Sequence, residues 1–408
     1  MTINELQGYK KILLLGYGKE GQATEHFLHR FVPEAEILIA DQANDPQYLE
    51  RQTDADLVIK TPGIPKRLVT RPYTTATNIF FANIHHPVIG VTGSKGKSTT
   101  TALIAAILRE SGKTVHLVGN IGEPAINLLS ESVGVDDAIV MELSSYQLDD
   151  IEYAPQISVF VSFFPDHLDY HGSLEAYFEA KSHITTLQGK QDLFVYHPGY
   201  PRLEVLARET SAKAISFLET CPFSFEGMPL LGEHNRQNML GAMTVCKELG
   251  VSFEIMERAL RSFKPLPHRL TNIGTYQGIT FYDDAIASTP EAAVSAIKTL
   301  PQIGTLFLGG TDRGYDFTVL AETICEYKIP NLVFFPDTGV KIEALLEAKG
   351  YKANSLHTES MEEAVQFAYN VTEPGSICLL STGSPSYRLW KGFEEKGDLF
   401  TRYVKTPR

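Results

Sequence analysis

The sequence predicts an α/β protein of doubly wound parallel sheets divided among three units, and three observations predict it. Short apolar runs alternate with helix-length amphipathic stretches along the whole chain, the pattern of parallel strands joined by crossover helices. From His86 onward the runs are apolar throughout rather than alternating, as strands buried on both faces must be. The chain has 408 residues, too many for one ordinary core and enough for two or three domains of roughly 100 to 200 residues each.

The first unit, from Lys10 to about Ala82, carries the runs "KILLLG", "EILIAD" and "LVIKTPG". A second series begins at "HPVIGVTG" and continues through "VHLVGNIG", "AIVMELSS", "ISVFVSFFP" and "DLFVYHP". Helical patterns at 234–250 and around "EIMERALRSF" close it. "KPLPHR" follows, with two prolines that neither a helix nor a central strand tolerates, so a boundary is expected near residue 266. "ITFYDD", "TLFLGG", "NLVFFPD" and "ICLLST" make the third unit. The expected domains are 1–84, 85–266 and 267–408.

Hydrophobic residues make up 43% of the chain, and no apolar run approaches the roughly 18 residues of a membrane span. The start lacks the apolar core of a secretory signal, so a cytoplasmic protein is expected. A formal net charge of -13 argues against a general nucleic-acid or membrane-surface binder. The four cysteines, Cys221, Cys246, Cys325 and Cys378, form no C-x-x-C pair and read as reduced thiols.

Two glycine loops compete for a nucleotide. "LLLGYGKEGQ" follows a strand-like run and places Gly16, Gly18 and Gly21 in the G-x-G-x-x-G spacing, with Asp41 at the end of the next run. That arrangement fits the pyrophosphate and ribose of NAD and raises a dehydrogenase as one reading. "GVTGSKGKSTT" (90–100) lies between a strand and a helix. In such a loop the backbone N–H groups of Gly93, Ser94, Lys95, Gly96 and Thr99 point at phosphate oxygens. Lys97 reaches the terminal phosphates, and Ser98 offers a hydroxyl to Mg2+. The strict P-loop pattern asks for glycine where this chain has Val91, and Gly93 is expected to take its place.

Ligands of an open parallel sheet gather at the carboxyl ends of its strands. Glu142 and His167 each follow such a strand, and a carboxylate there suits a hard cation. Asp166, His167, Asp169 and His171 could instead make a zinc site, although their spacing is mixed and no cysteine joins them. Lys181, by composition alone, is an ordinary helix lysine.

"VTGSKGKSTTTAL", "VGNIGEP", "MELSSYQL", "PDHLDYHG", "AYFEAK", "LLGEHNRQN", "LPHR" and "LGGTDRGYDF" occur in the order seen in the Mur ligases, which the chain resembles from Gly16 to its C-terminal region. The branch it most resembles adds glutamate to a UDP-linked muramoyl-alanine. The resemblance implies a Rossmann-like N-terminal domain for the UDP moiety, a central P-loop ATPase domain with a parallel sheet, and a Rossmann-like C-terminal domain for glutamate. It implies ATP as phosphoryl donor, two Mg2+ ions, and an acyl phosphate formed on UDP-N-acetylmuramoyl-L-alanine that glutamate attacks. A cytoplasmic monomer acting on small molecules is expected, with no nucleic-acid or membrane partner.

By the same resemblance Lys97 and Ser98 hold the γ-phosphate and first ion with Glu142. His167 binds the second ion, and Lys181 becomes a carbamylated lysine that supports it. Gly16, Gly18, Glu20 and Asp41 meet the UDP end. Asn120, Ser144 and Gln147 meet the muramoyl-alanine end. Asn235, Asn238, Arg269 and Asp284 lie on the nucleotide side, with His268 beside them, while Ser288, Arg313, Ser386 and Tyr387 surround the incoming glutamate. The chain departs from the family at "DDAIAST" (283–289), where Ile286 replaces a lysine. That stretch is closer to a variant branch that adds L-glutamate, so both D- and L-glutamate remain open.

Overall fold

The structure is a computed structural model that describes residues 1–385 and 387–406. Sixteen strands among these residues form three sheets. β1 (Lys11–Leu15), β2 (Glu36–Ala40), β3 (Leu57–Lys60) and β4 (Tyr73–Thr75) make the first, in the order β2-β1-β3-β4 and wholly parallel. β5 (Val88–Thr92), β6 (Val115–Gly119), β7 (Ala138–Glu142), β8 (Ile157–Phe160), β9 (Leu193–Tyr196) and β10 (Lys213–Ser216) make the second. Its order is β10-β9-β8-β5-β7-β6, again wholly parallel.

The third sheet contains β11 (Thr271–Tyr276), β12 (Ile279–Asp283), β13 (Ile303–Gly309), β14 (Asn331–Phe335), β15 (Asn354–His357) and β16 (Ile377–Leu380). Their order is β11-β12-β16-β13-β14-β15, and only the β11–β12 pairing is antiparallel. The chain divides into two compact units. One comprises Met1–Met228 with Gln237–Phe263 and holds the first two sheets; the other comprises Pro229–Arg236 with Lys264–Arg408 and holds the third.

Every strand singled out in the sequence is present. The four that were not, β4, β10, β11 and β15, all sit at sheet edges. An edge strand packs less of its surface than a central one, so its residues need not be uniformly apolar: β15 reads "NSLH" and is mostly exposed, whereas all five residues of β5 are buried. Among the described residues no helix is long and apolar enough to cross a membrane.

The sheet order positions the chemistry. β5 lies between β7 and β8, so the loop after β5 emerges between Glu142, which ends β7, and the segment that follows β8. On the third sheet β12 and β16 are neighbours, and they bring Asp283 and Asp284 beside Ser381 and Thr382.

Candidate active site

The loop from Gly93 to Gly96 connects β5 to helix Lys97–Glu110. Gly96 caps that helix at φ 85°, and a Cβ there would collide with Asn238 Oδ1, so glycine is required on both counts. Gly93 is also confined, though less tightly, since a Cβ would lie 3.0 Å from Ser162 N. The segment after β8 pins the loop from the other side. Ser94 N donates to Ser162 O (2.8 Å), Lys95 N donates to Ser162 Oγ (2.9 Å), and Ser162 Oγ donates to Lys95 O (2.7 Å). Ser94 Oγ accepts from Phe164 N (3.0 Å) and from Tyr177 OH (3.1 Å). Lys97 folds back so that Nζ donates to Gly93 O (3.0 Å) and Ser94 O (3.2 Å), while Ser98 and Thr99 are buried in the first helical turn. Nothing in residue spacing announced Ser162 or Tyr177 as supports of this loop.

Charged groups converge behind it. Glu142 is buried; Oε1 accepts from Asn120 Nδ2 (2.8 Å), and Oε2 has no hydrogen-bond partner among the described residues. A buried carboxylate oxygen left in this way is costly unless a proton donor or cation meets it. Asp166 is also buried. Burial acts to raise its carboxyl, but Lys95, at 3.3 Å from Oδ2, together with His167 and Lys97 holds it below the usual range. That contact is an ion pair without hydrogen-bond geometry, since Oδ2 has no hydrogen-bond partner.

His167 adopts φ 53° and faces Tyr146, whose hydroxyl lies 2.8 Å from Nδ1. Burial, aided by Lys97 and opposed by Asp166, lowers the imidazole to about 4, so it is neutral at physiological pH. If Nδ1–H donates to Tyr146, the Nε2 lone pair is left for a metal.

Lys181 is the least predictable member. It lies on helix Leu174–Thr186 at 1% exposure. Nζ donates to Gly93 O (2.8 Å) and lies 4.9 Å from the centroid of the Tyr177 ring. Burial, with Lys97 adding repulsion and Asp166 and Glu142 opposing, pushes its ammonium well below the normal lysine range. A solvated helix lysine is therefore corrected to a buried amine at the back of the glycine loop. The zinc alternative is corrected as well: no three His, Cys, Asp or Glu side chains gather as a metal cage among the described residues, and His171 Nε2 instead meets Ser145 Oγ at 3.1 Å.

At the first glycine loop Gly16 has φ 91°, and a Cβ would collide with Thr61 Oγ1; a Cβ on Gly21 would lie 2.6 Å from Gly16 O. Gly18 caps helix Lys19–Phe31. A cleft of about 480 Å³ opens here, lined by residues that include Gly16, Tyr17, Gly18, Asp41, Tyr48 and Ile64. Asp41 lines it yet spends both oxygens on backbone, accepting from Tyr17 N (2.6 Å) and Ala43 N (2.8 Å). Ser144 and Gln147 form a reciprocal capping box on helix Ser145–Leu148. Gln147 Nε2 then donates to Glu20 Oε2 at 3.2 Å.

Predicted residues of the second unit make separate local contacts. Asp284 is buried, which raises its carboxyl to about 7; its oxygens accept from Ser381 Oγ (2.8 Å) and Leu270 N (3.2 Å). Beside it His268 Nδ1 meets Asp283 Oδ2 at 2.6 Å. Arg269 acts electrostatically on His234, and Asn235 Nδ2 donates to Leu231 O (2.8 Å). The Arg313 guanidinium lies 5.7 Å from the centroid of the exposed Tyr387 ring, and Ser288 is half-buried. Ser386 lies outside the described residues.

A family model described as the Mur ligase middle domain matches residues 91–221. The UDP-N-acetylmuramoylalanine–D-glutamate ligase of Pelotomaculum thermopropionicum is 31% identical over 97% of this chain and 97% of its own. The chain belongs to the Mur ligase family. The corresponding protein of Symbiobacterium thermophilum is 32% identical, covering 88% and 86% of the two chains. A UDP-N-acetylmuramoyl-L-alanine–L-glutamate ligase of Salinispora tropica is 31% identical over 99% of both. The MurF ligase of Thermotoga maritima, solved in complex with ADP, shares the fold at TM-score 0.66 and 14% identity, covering 99% and 100%.

In this Mur ligase, Lys95, Lys97, Asp166 and Glu142 all bear electrostatically on Lys181. Divalent magnesium fits that setting on its donor chemistry: an orphaned carboxylate oxygen on Glu142, the hydroxyl of Ser98 and a neutral imidazole on His167 suit a cation that completes its shell with phosphate oxygens and water.

Proposed function

We propose that this Mur ligase joins D-glutamate to UDP-N-acetylmuramoyl-L-alanine with conversion of ATP to ADP and phosphate, in peptidoglycan precursor synthesis. Near-full-length identity to relatives named for that reaction supports the choice of substrates. The observation that carries the chemistry is the buried amine of Lys181 between the phosphate loop and two buried carboxylates.

The alanine carboxylate attacks the γ-phosphorus of ATP, the bond to the bridging oxygen breaks, and ADP leaves. The amine of glutamate then attacks the acyl-phosphate carbonyl, inorganic phosphate leaves with the bonding electrons, and the amine gives up a proton. Phosphorylation is needed because a carboxylate oxygen is otherwise a very poor leaving group. The glycine-loop N–H groups hold the phosphate chain. Lys97 exchanges its two carbonyl acceptors for the γ-phosphate oxygens, and so stabilises charge where it develops. Ser98 and Glu142 would hold one Mg2+, and His167 with a carbamylated Lys181 a second. These ions supply neutralisation of the phosphate charge.

Carbamylation requires an unprotonated amine, which adds to the carbon of CO2 with loss of one proton. The depressed basicity of Lys181 favours that unprotonated form. The new carboxylate is attracted by Lys97, whose charge disfavours the ammonium form of Lys181.

Asn235, Asn238, Arg269 and Asp284 are proposed for the nucleotide, and Asn120, Ser144 and Gln147 for the muramoyl-alanine end. Gly16, Gly18, Glu20 and Asp41 are proposed for UDP, and Ser288, Arg313, Ser386 and Tyr387 for glutamate. The proposed domains are 1–84, 85–266 and 267–408, in a monomer working in the cytoplasm, where ATP and nucleotide-activated sugars are found.

L-glutamate is the second reading, favoured by the Salinispora relative. Phosphate release with ATP, Mg2+, UDP-N-acetylmuramoyl-L-alanine and one glutamate enantiomer at a time tests both. Turnover with D-glutamate alone supports the first reading, turnover with L-glutamate alone replaces it with the second, and turnover with neither enantiomer rejects both.

A further inference from the structure

The first glycine loop carries an acid where an anion is to be bound. Glu20 stands in the first turn of helix Lys19–Phe31, directly after the Gly16–Gly18 turn that borders the 480 Å³ cleft. Its stem is partly accessible, but its carboxylate is not. Oε2 accepts from Gln147 Nε2 at 3.2 Å, and Oε1 is buried with no hydrogen-bond partner among the described residues.

Gln147 cannot turn away, because its Oε1 accepts from Ser144 N (3.0 Å) and Ser144 Oγ (3.1 Å) in the capping box. The carboxyl group is thus held at one oxygen and left without a hydrogen-bond partner at the other among the described residues. The charge that bears on it is Lys60 at the end of β3, but that ammonium is itself buried in an ion pair with Asp150. Across the loop, Asp41 adds a further negative charge within the cleft wall. Lys19, the neighbour of Glu20 in the same helical turn, is exposed to solvent and is not among the charges that bear on the Glu20 carboxyl.

A diphosphate brought to this loop adds negative charges next to a buried carboxylate in a medium of low polarisability, where repulsion between like charges is strong. The same oxygen that repels as an anion becomes a hydrogen-bond donor once protonated, and an acid O–H to a phosphate oxygen is a strong, charge-assisted bond. We propose that Glu20 binds the diphosphate of the nucleotide-linked substrate as a neutral carboxylic acid, its Oε1–H turned out of the interior to donate to a phosphate oxygen, so that substrate binding takes up a proton. The proposal rests on the UDP-substrate reading given above. Burial already raises this carboxyl to about 7, with Gln147 and Lys60 opposing, so the free protein is poised for that uptake in the physiological range.

The diphosphate diester of UDP-N-acetylmuramoyl-L-alanine does not itself titrate near neutrality. It can therefore be titrated calorimetrically into the full-length protein, saturated with Mg2+ and a non-hydrolysable ATP analogue, in two buffers of different ionisation enthalpy. At pH 8 the expected result is uptake of close to one proton per site, with Kd weakening up to about tenfold per pH unit above 7. In Glu20→Gln, whose amide can donate without titrating, uptake should vanish and Kd should become flat with pH. Tight wild-type binding without uptake between pH 6.5 and 8.5 overturns the proposal, as does uptake that persists undiminished in Glu20→Gln. The wild-type measurement decides by itself if the variant does not fold. Absence of any wild-type binding would count against the UDP-substrate reading instead.

Discussion

The two glycine loops of the first unit have the same backbone logic and opposite electrostatics. Each follows a buried parallel strand, each opens a helix, and each has a glycine at positive φ where a Cβ would collide with a neighbouring side chain, Thr61 for Gly16 and Asn238 for Gly96. Around the second loop lie Lys95, Lys97 and Lys181, facing Asp166 and Glu142. The first has acids, Glu20 and Asp41, a lysine already paired with Asp150, and an exposed lysine, Lys19, at the helix start. A phosphate that is only held can be met by N–H dipoles and neutral donors, whereas one that is transferred needs charge placed where the transition state develops it. A glycine motif alone therefore specifies a close backbone approach and not the chemistry done there.

The sharpest way to break this contrast is Lys97→Ala. Removing the cation should lower ATP-dependent phosphate release by about 10³-fold, within the range seen when a preorganised transition-state donor is lost. The affinity for UDP-N-acetylmuramoyl-L-alanine should change little. Steady-state phosphate release and calorimetry on the same variant check both halves, and activity within a few-fold of wild type would remove the second loop from the reaction.

Lys181→Ala should follow, with a loss of about 10²-fold or more that short carboxylates such as formate partly restore by occupying the space of the missing carbamate. Restoration by chloride at equal ionic strength would show that charge screening, and not a carboxylate, was responsible. Intact mass spectrometry at high bicarbonate offers a second check, since the adduct should appear on wild type and be absent from the variant.

The sequence made the frame of this comparison legible and hid the residues that tune it. The central strands announced themselves because burial on both faces enforces apolar runs, and four of the six edge strands, β4, β10, β11 and β15, did not. Glu142 and His167 were legible because strand ends of a parallel sheet face the ligand edge. Lys181 was not readable from composition, since its helix carries a polar residue at most positions and only the tertiary contact with Gly93 O shows that this one points inward. Gln147 and Ser144 were expected at the substrate; that they lock each other in a capping box, and that Gln147 then fixes Glu20, depends on a contact across 127 residues of chain.

Paired glycine substitutions sharpen the comparison with a smaller effect. Gly96→Ala should raise KM for ATP about tenfold and leave the affinity for the UDP substrate unchanged, while Gly16→Ala should do the reverse. Each forces a side chain into a left-handed backbone position against a neighbour, with a stability cost on the order of 1 to 3 kcal/mol measurable by thermal unfolding. Equal effects of both variants on both ligands would mean that the two loops act as one site.

The smallest expected effect is on stability, and its sign follows from Glu20. The folded protein holds this carboxyl near 7, above the range of an unfolded glutamate, because burial disfavours the anion more than Gln147 and Lys60 favour it. A group raised in this way binds its proton more tightly when folded. Its contribution is fully present below the unfolded value near 4.5 and is lost as pH rises through about 7. Above that point wild type carries a buried, incompletely compensated anion, and Glu20→Gln does not. The variant should therefore be no more stable than wild type at pH 5 and more stable at pH 8, by on the order of 1 kcal/mol. Denaturant unfolding at the two pH values checks this. A gain that is equal at both would trace to packing of the amide, and the electrostatic difference between the two loops would then have to rest on the lysines alone.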